Sequence, residues 1–337
     1  MNTNRNASPT ISWVGIDISK ADFHMAFWGH EDFSEMEVLV FTRQRKFMKE
    51  VLAKLTEAAP AGMQLGIVME ATGKFSEEVA TWLLKLDPKL RIAIVNPAQT
   101  SAFIKSLGFR NKTDGLDAKA LARYGKDRNP VAWEPLSPER AVLRDLTRTR
   151  GDLVDARTAM KNRLNDHKRA SRAAAKALET IIRSLDGQVE ALEVAIEEHV
   201  KAHPELAHQV RLFRTIKGIG IVTSTVILAE IGDLHRFSRS RKLSAFAGVS
   251  PKLKDSGTSV HGKPRMCKQG NARIRVALYM AASNAIQHNP DMKAFYEQLR
   301  SKGKEPRSAL GAIMRKLLVL MRAVLIAGED WKPRLAA

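Results

Sequence analysis

The sequence predicts an α/β N-terminal domain, then a long helical arm, then a mainly α-helical C-terminal region. Three observations carry this. Strand-like and helix-like segments alternate over the first 135 residues, residues 139–202 contain no proline, and from about 205 on the chain is mainly helical in its apolar spacing.

Residues 12–28, "SWVGIDISKADFHMAFW", alternate apolar and polar side chains as a half-buried strand does. After a turn near "GHEDF", "EVLVF" reads as a second strand, followed by a helical stretch over 43–58. "MQLGIVME" is a buried strand ending on Glu70, "FSEEVATWLLKL" is amphipathic, "RIAIVN" is another strand, and Pro97 opens the next element. Strands alternating with helices predict a largely parallel sheet. The stretch "RNPVAWEPLSPER", with three prolines in nine residues, ends this domain. The resulting boundaries are 10–135 for the first domain, 136–204 for the arm and 205–328 for the C-terminal region.

In the arm the glycines are Gly151 and Gly187. Leu143, Leu146, Leu153 and Val154 recur at helical spacing, as do Leu185, Val189, Leu192 and Ile196, which predicts two long helices paired as an antiparallel coiled coil. Residues 140–176 are rich in Arg and Lys, which suits a phosphate backbone or simply a solvated face. In the C-terminal region, "TIKGIGIVTSTVILAEIGDLHRF" sets Gly218-Ile219-Gly220 between two helical stretches. That matches the hairpin of a helix-hairpin-helix, whose glycines let backbone amides approach a phosphate; glycines needed for packing explain the same pattern. An irregular stretch over 248–272 and two closing helices, about 271–288 and 306–327, complete the reading.

Composition narrows the partner. The chain carries 55 Lys+Arg against 36 Asp+Glu, a formal net charge of +19, and this excess favours a polyanion, of which nucleic acid is the commonest. A membrane surface is the competing explanation, but no segment approaches the roughly 18 consecutive apolar residues of a spanning helix. The N-terminus lacks a charged-then-apolar signal layout. Cys267 is the single cysteine, which excludes an intramolecular disulfide and a thiolate zinc cluster and suits a reducing cytoplasm.

Against this basic background four acids stand out. Asp17 lies on the first strand, where a charge among apolar residues is costly. Glu70 ends its strand at the carboxyl end, where α/β sheets place their sites. Asp114 and Asp117, in "NKTDGLDAKALARY", start a helix, and their spacing of three puts both on one face. If the two strands are neighbours, the four carboxylates meet at one edge, where they cannot all ionise without a cation among them. Oxygen-rich sites of this kind suit Mg²⁺ or Mn²⁺. A structural alternative makes Asp114 a helix N-cap and Asp117 a partner of the helix dipole.

Residues 251–275, "PKLKDSGTSVHGKPRMCKQGNARIR", hold seven Lys or Arg and one acid, Asp255, around a hydroxyl-rich run containing Ser256. A serine becomes a nucleophile only with a base, a metal or strongly positive surroundings. A basic Gly/Ser loop also serves simply to bind phosphate. Nothing near Cys267 marks it as paired with a base.

"VGIDISK", "MEATG", "VNPAQTSAF", "RNKTDGLDAKALA", "IKGIGIVTSTVILAEIG", "FAGVSPKLKDSGTSVHG" and "GNARIRVALYMAA" occur in this order. The set resembles the insertion-sequence transposases that join an N-terminal DEDD domain, similar to RuvC-type Holliday-junction resolvases, to a C-terminal transposase domain with a serine; pilin-gene invertases are relatives. The resemblance covers about 12 to 325. It implies an RNase H-like (RuvC-like) first domain and makes Asp17, Glu70, Asp114 and Asp117 the DEDD tetrad holding Mg²⁺ or Mn²⁺. Ser256 becomes the nucleophile that forms a phosphoserine link to a cut DNA strand. It further implies donor and target DNA selected by a noncoding bridge RNA, dimers that pair into tetramers, and a bacterial cytoplasmic, nucleoid-associated setting with no membrane. Pairing would then read sequence while the protein holds backbone. Lys112, Lys217, Gly218, Gly220, Lys254, Lys263, Arg265, Lys268 and Arg273 are the candidate nucleic-acid contacts. Two rival readings are a metal-dependent junction-resolving nuclease that uses water and a non-catalytic nucleic-acid-binding protein.

Overall fold

The computed structural model describes residues 11–60, 62–109, 113–167, 171–256 and 260–333, without the side chains of 167 and 253–264. The chain divides into two compact units, residues 1–135 and 136–337.

The N-terminal unit is built on one five-stranded sheet. Its strands are β1 (Ile11–Ile18), β2 (Asp22–Phe27), β3 (Val38–Thr42), β4 (Gln64–Glu70) and β5 (Arg91–Val95), in spatial order β3-β2-β1-β4-β5. The expected single strand over 12–28 is in fact the hairpin of β1 and β2. Its turn is made by polar residues: Ser19 Oγ donates to Asp22 Oδ1 at 2.5 Å and accepts from the amides of Ala21 and Asp22. The sheet is mixed, not largely parallel. A tight turn joins β1 to antiparallel β2, a ten-residue loop returns the chain as antiparallel β3, and helical crossovers bring β4 and β5 back parallel to β1.

Helices cover both faces. On one face α1 (Met48–Glu57) and α2 (Lys74–Leu86) pack Val51, Leu55, Val79 and Leu83 on Val14, Ile16, Met25, Ile67 and Met69. On the other lie α3 (Pro97–Ser106) and α4 (Asp114–Arg128), with Phe103, Leu121 and Tyr124 against Trp13, Val68 and Val95. A side chain of period two explains the split: Val14, Ile16 and Ile18 point one way, and Trp13, Gly15 and Asp17 the other. A Cβ on Gly15 would fall 2.0 Å from the Ala118 carbonyl oxygen and 2.4 Å from the Ala122 nitrogen, so α4 touches the backbone of β1 there. Gly125 and Gly66 make room for the Trp13 indole in the same way.

The second unit starts with α5 (Pro138–His167) and α6 (Arg172–Ala202), two long antiparallel helices. Ion pairs fix their register: Arg150 with Glu193, and Arg157 with Asp186. At their base Leu143, Ile196 and Val200 enter a core shared with α7 (Pro204–Arg214), α8 (Ile221–Ile231), α9 (Ser240–Phe246), α10 (Ala272–His288), α11 (Pro290–Ser301) and α12 (Pro306–Ala327). Arg140, buried in that base, donates to the Gly232 carbonyl at 2.9 Å and to Gln209 Oε1 at 2.9 Å, placing a cation at the C-terminus of α8. Two corrections follow for this region. The stretch 248–272 is not irregular but contains a hairpin, β6 (Pro251–Ser256) and β7 (Val260–Met266), with a bulge between Lys252 and Lys254. Lys, Ser and Gly are poor strand formers, so backbone pairing here has no local signature. Three helices close the chain where two were expected, because Asn289 caps α11 by accepting from the Met292 amide. Among the described residues no helix is long and apolar enough to cross a membrane.

The Gly15 contact is testable. Gly15→Ala should destabilise the N-terminal unit by about 3 kcal/mol, at the upper end of overpacking costs. Gly29→Ala, where nothing lies within 4 Å, should be near neutral; chemical denaturation of both variants checks this.

Candidate active site

Running antiparallel across β1, α4 carries its own residues in step with the strand. Gly125 sits on Trp13, and Ala118 and Leu121 sit on Gly15. The eight residues from Gly125 back to Asp117 span about 12 Å of helix, and the four from Trp13 to Asp17 about 13 Å of strand. The first turn of α4 therefore arrives beside Asp17. Thr113 is the helix cap, its hydroxyl accepting from the Leu116 amide, so Asp114 is not the cap; both acids lie in the first turn, where a carboxylate also suits the helix dipole. Asp117 is buried.

The parallel pairing of β1 with β4 supplies the third acid. Ile16 is level with Met69, and one residue further on stand Asp17 and Glu70. Glu70 shares the face of Val68, the α4 side, and accepts from Thr100 Oγ1 of α3 at 2.5 Å. Across the antiparallel pair, His24 lies opposite Asp17. The Asp17 carboxyl is pushed from 3.8 up to about 6, first by burial, then by repulsion from Asp117, Asp114 and Glu70, with His24 acting in the opposite direction. Three of the acids named from the sequence, Asp117, Asp114 and Glu70, thus act through space on the fourth, Asp17.

The donor set is all carboxylate oxygen, which suits a hard divalent cation. Two residues past Glu70, Thr72 Oγ1 is buried without a hydrogen-bond partner among the described residues. Among the described residues no three His, Cys, Asp or Glu side chains form a ready-made metal cage; Glu70, Asp114 and Asp117 are close enough to act on Asp17 but do not converge with it as a closed cage.

The other candidates lie in the second unit, apart from Lys112, which falls outside the described residues. Ser256 is the last residue of β6, paired through its backbone with Val260; its side chain, with those of Lys254 and Lys263, lies outside the described residues. The hairpin base is firmly held. Cys267 and Lys268 donate backbone amides to Ser250 and Gly248, Asn271 donates to Phe246, and a Cβ on Gly270 would lie 2.4 Å from the Gly248 nitrogen. Arg265 and Lys268 are exposed. Arg273 is engaged by Asp152 Oδ1 at 2.9 Å on α5. Gly218 has φ +101° and packs on the backbone of Ala285, so packing alone requires a glycine there; Gly220 opens α8 and faces open space, and Lys217 is exposed.

Sequence reasoning missed three features. Thr100 carries a visible signal, a hydroxyl one turn into the helix after β5, but its partner Glu70 is set by the sheet. His24 sits in the β2 stretch read as one strand with β1. Glu230 of α8, with a side chain only 2% exposed, receives both Arg148 nitrogens at 2.6 and 2.8 Å and Asn271 Nδ2 at 2.6 Å. Burial drives the Glu230 carboxyl upward, but the Arg148 and Asn271 bonds outweigh it and hold it below the ordinary value. Its partner Asn271 also caps α10, directly after the hairpin.

Comparison with known proteins defines the class first. Residues 14–168 match a family model of DEDD type described as transposase, and residues 210–297 match the model of the transposase IS116/IS110/IS902 family. The pilin gene-inverting protein of Moraxella bovis is 31% identical over 336 residues, covering 96% of this chain and 98% of the relative. That of Moraxella lacunata is also 31% identical over the same span. The transposase for insertion sequence element IS1111A of Coxiella burnetii is 24% identical, covering 97% of this chain and 93% of the relative. These are transposases and recombinases, enzymes that act on DNA. The chain belongs to the IS116/IS110/IS902 transposase family.

The Asp17 shift fixes a pH dependence. A carboxyl with a native pKa above its unfolded value binds more protons when folded, so its ionisation opposes folding above about pH 6 and has no effect below about pH 4. Asp17→Asn should therefore stabilise the protein by about 1 kcal/mol near pH 8, the shift being discounted for partial solvent exposure. The gain should vanish as pH falls through 6 toward 4, in denaturant unfolding with chelator present.

Proposed function

We propose that the protein is a DNA recombinase that moves an insertion sequence through a covalent phosphoserine intermediate. The observation that carries this reading is the placing of Glu70, Asp114 and Asp117 around Asp17, whose carboxyl burial and these three acids push upward, in an otherwise strongly basic chain. The sheet order and its antiparallel hairpin followed by parallel strands support an RNase H-like, RuvC-like domain over 10–135. The arm over 136–204 and the transposase domain over 205–328 complete the division.

In this reading the four acids hold Mg²⁺ or Mn²⁺. Such an ion, when bound, orients the scissile phosphate and offsets its developing charge. Thr100 fixes the Glu70 rotamer, and burial against α4 keeps Asp17 directed into the acid set. Ser256 Oγ attacks the phosphorus. An O–P bond to serine forms, the bond to the departing sugar oxygen breaks, the hydroxyl proton passes to a basic acceptor, and the departing oxygen is protonated. Bond energy is retained, so attack by another strand's hydroxyl reverses the step and rejoins DNA without ATP. Lys254, Lys263, Arg265 and Lys268 hold phosphates around the serine, with Lys112, Lys217, Gly218, Gly220 and Arg273 as further backbone contacts. A bridge RNA selects donor and target DNA by pairing, and dimers combine into tetramers in the bacterial cytoplasm, at the nucleoid. The family membership and the absence of an obvious base-reading module in the sequence support this division of labour.

Incubation with donor DNA and Mg²⁺, followed by a denaturing gel, should show protein covalently attached to DNA. Ser256→Ala should remove the adduct and reduce strand transfer by about 10³-fold or more. Cutting by Ser256→Ala with no adduct from any variant would make the protein a water-using junction nuclease instead. Strand transfer untouched in Asp17→Asn would remove the acid set from the mechanism.

A further inference from the structure

The second unit contains a cleft of about 1580 Å³ between α10 and α12, walled on one side by the base of the β6–β7 hairpin. This exceeds the ~300–1,000 Å³ of small-molecule sites, so its occupant is a polymer or a large surface. Seven lining residues are Lys or Arg and none is Asp or Glu. Arg265 and Lys268 come from the hairpin base, Arg275 from α10, and Arg307, Arg315 and Lys316 from α12. Apart from Arg275, which donates to the Gly270 carbonyl at 2.6 Å, and Lys316, which lies 4.1 Å over the Phe295 ring, they have no fixed partner among the described residues. So many like charges facing one cavity are stable only in water or against a polyanion.

The apolar lining narrows the choice. Along one stripe of α10, Val276 is 66% and Tyr279 is 47% exposed among these cations. Large exposed apolar side chains in a concave site mark a contact surface. A duplex offers phosphates but hides its base faces. An unpaired strand offers both, phosphates to the cations and a base face to stack on Tyr279. The hairpin indicates which strand. Met266 of β7 lies over Gly311 of α12, where a Cβ would stand 2.9 Å from its Cε, so the hairpin base is seated on the cleft wall. From Pro251 in that wall β6 runs to Ser256, about 16 Å of strand.

We propose that this cleft holds an unpaired stretch of the DNA strand that Ser256 attacks, its phosphates on Arg307, Arg315, Arg275 and Lys268 and a base on Tyr279. The choice of DNA over RNA rests on the phosphoserine reading; the binding of a single strand does not.

The test uses the full-length protein and fluorescence anisotropy with a labelled mixed-sequence single-stranded DNA, the matching duplex and the same sequence as RNA. Arg307→Gln with Arg315→Gln should weaken single-stranded DNA binding by about 10-fold or more and reduce the salt slope by about 1.4, two phosphates at ~0.7 each. Tyr279→Ala should weaken it about 10-fold, as loss of one stacked base does, with the salt slope unchanged. Duplex binding should change less than about 3-fold in both. Wild-type affinity for single-stranded DNA in both variants would overturn the proposal. So would a larger loss for the RNA than for the single-stranded DNA, an equal or larger loss for the duplex, or a changed oligomeric state in sedimentation with strand binding intact, which would make the cleft a surface for a second copy. Ser256→Ala should bind single-stranded DNA like wild type, so failure of the covalent chemistry and failure of the cleft are read separately; circular dichroism confirms that each variant is folded.

Discussion

The contact on which the N-terminal unit depends is the approach of α4 to the bare backbone of β1 at Gly15. A helix usually rests on a sheet through two layers of side chains. Here one layer is missing at the crossing, since a single methyl group on Gly15 would overlap the Ala118 carbonyl. Small residues line the helix at this point, Ala118, Ala120 and Ala122, all buried. Lateral positions are fixed by the Trp13 indole, wedged against Gly125 and Gly66. With two contact points set along its length, the helix has neither room to slide nor freedom to rotate. Asp114 and Asp117 are then carried to Asp17 as a consequence of apolar packing, which makes up for the electrostatic opposition among the acids.

The second unit uses a different device. Its hydrophobic core is helical, yet the segment of chemical interest is a hairpin of Lys, Ser and Gly with little apolar area of its own. Stability comes from the base: backbone bonds to Gly248 and Ser250, the Gly248–Gly270 contact, and Asn271. Asn271 binds three ways, capping α10 through its oxygen while its amide nitrogen donates to Glu230. Glu230 in turn grips Arg148 on the arm helix. A buried carboxylate is tolerable only when so fully paired, and the pairing ties α5, α8 and α10 together at the point where the hairpin rejoins the core.

Charge is organised differently in the two units. Acids gather at the carboxyl ends of β1 and β4, where burial first and then repulsion raise Asp17 and leave a demand for positive charge. Cations gather in the C-terminal cleft and leave a demand for negative charge. Each half is electrostatically incomplete alone, as expected of an enzyme that acts on DNA. The arm differs again: Arg150 and Arg157 are spent on Glu193 and Asp186, so part of its basic texture serves helix pairing.

The sequence by itself determined the kinds of element, the basic balance, the four acids and the family, because strand and helix periodicities, charge and motif order are local properties readable along the chain. It did not reveal the β1–β2 turn, since Ser19 and Asp22 close it through side chains that continue an alternating pattern. Nor did it reveal the β6–β7 hairpin, whose pairing is a backbone matter in residues with weak strand preference. Tertiary structure alone decided that Thr100 meets Glu70, that His24 faces Asp17, that Thr113 and not Asp114 caps α4, and that cations from β7, α10 and α12 line one cleft. Those meetings depend on which faces pack together and at what register, and packing is settled by the fit of distant residues to one another, not by the pattern of neighbours in the chain.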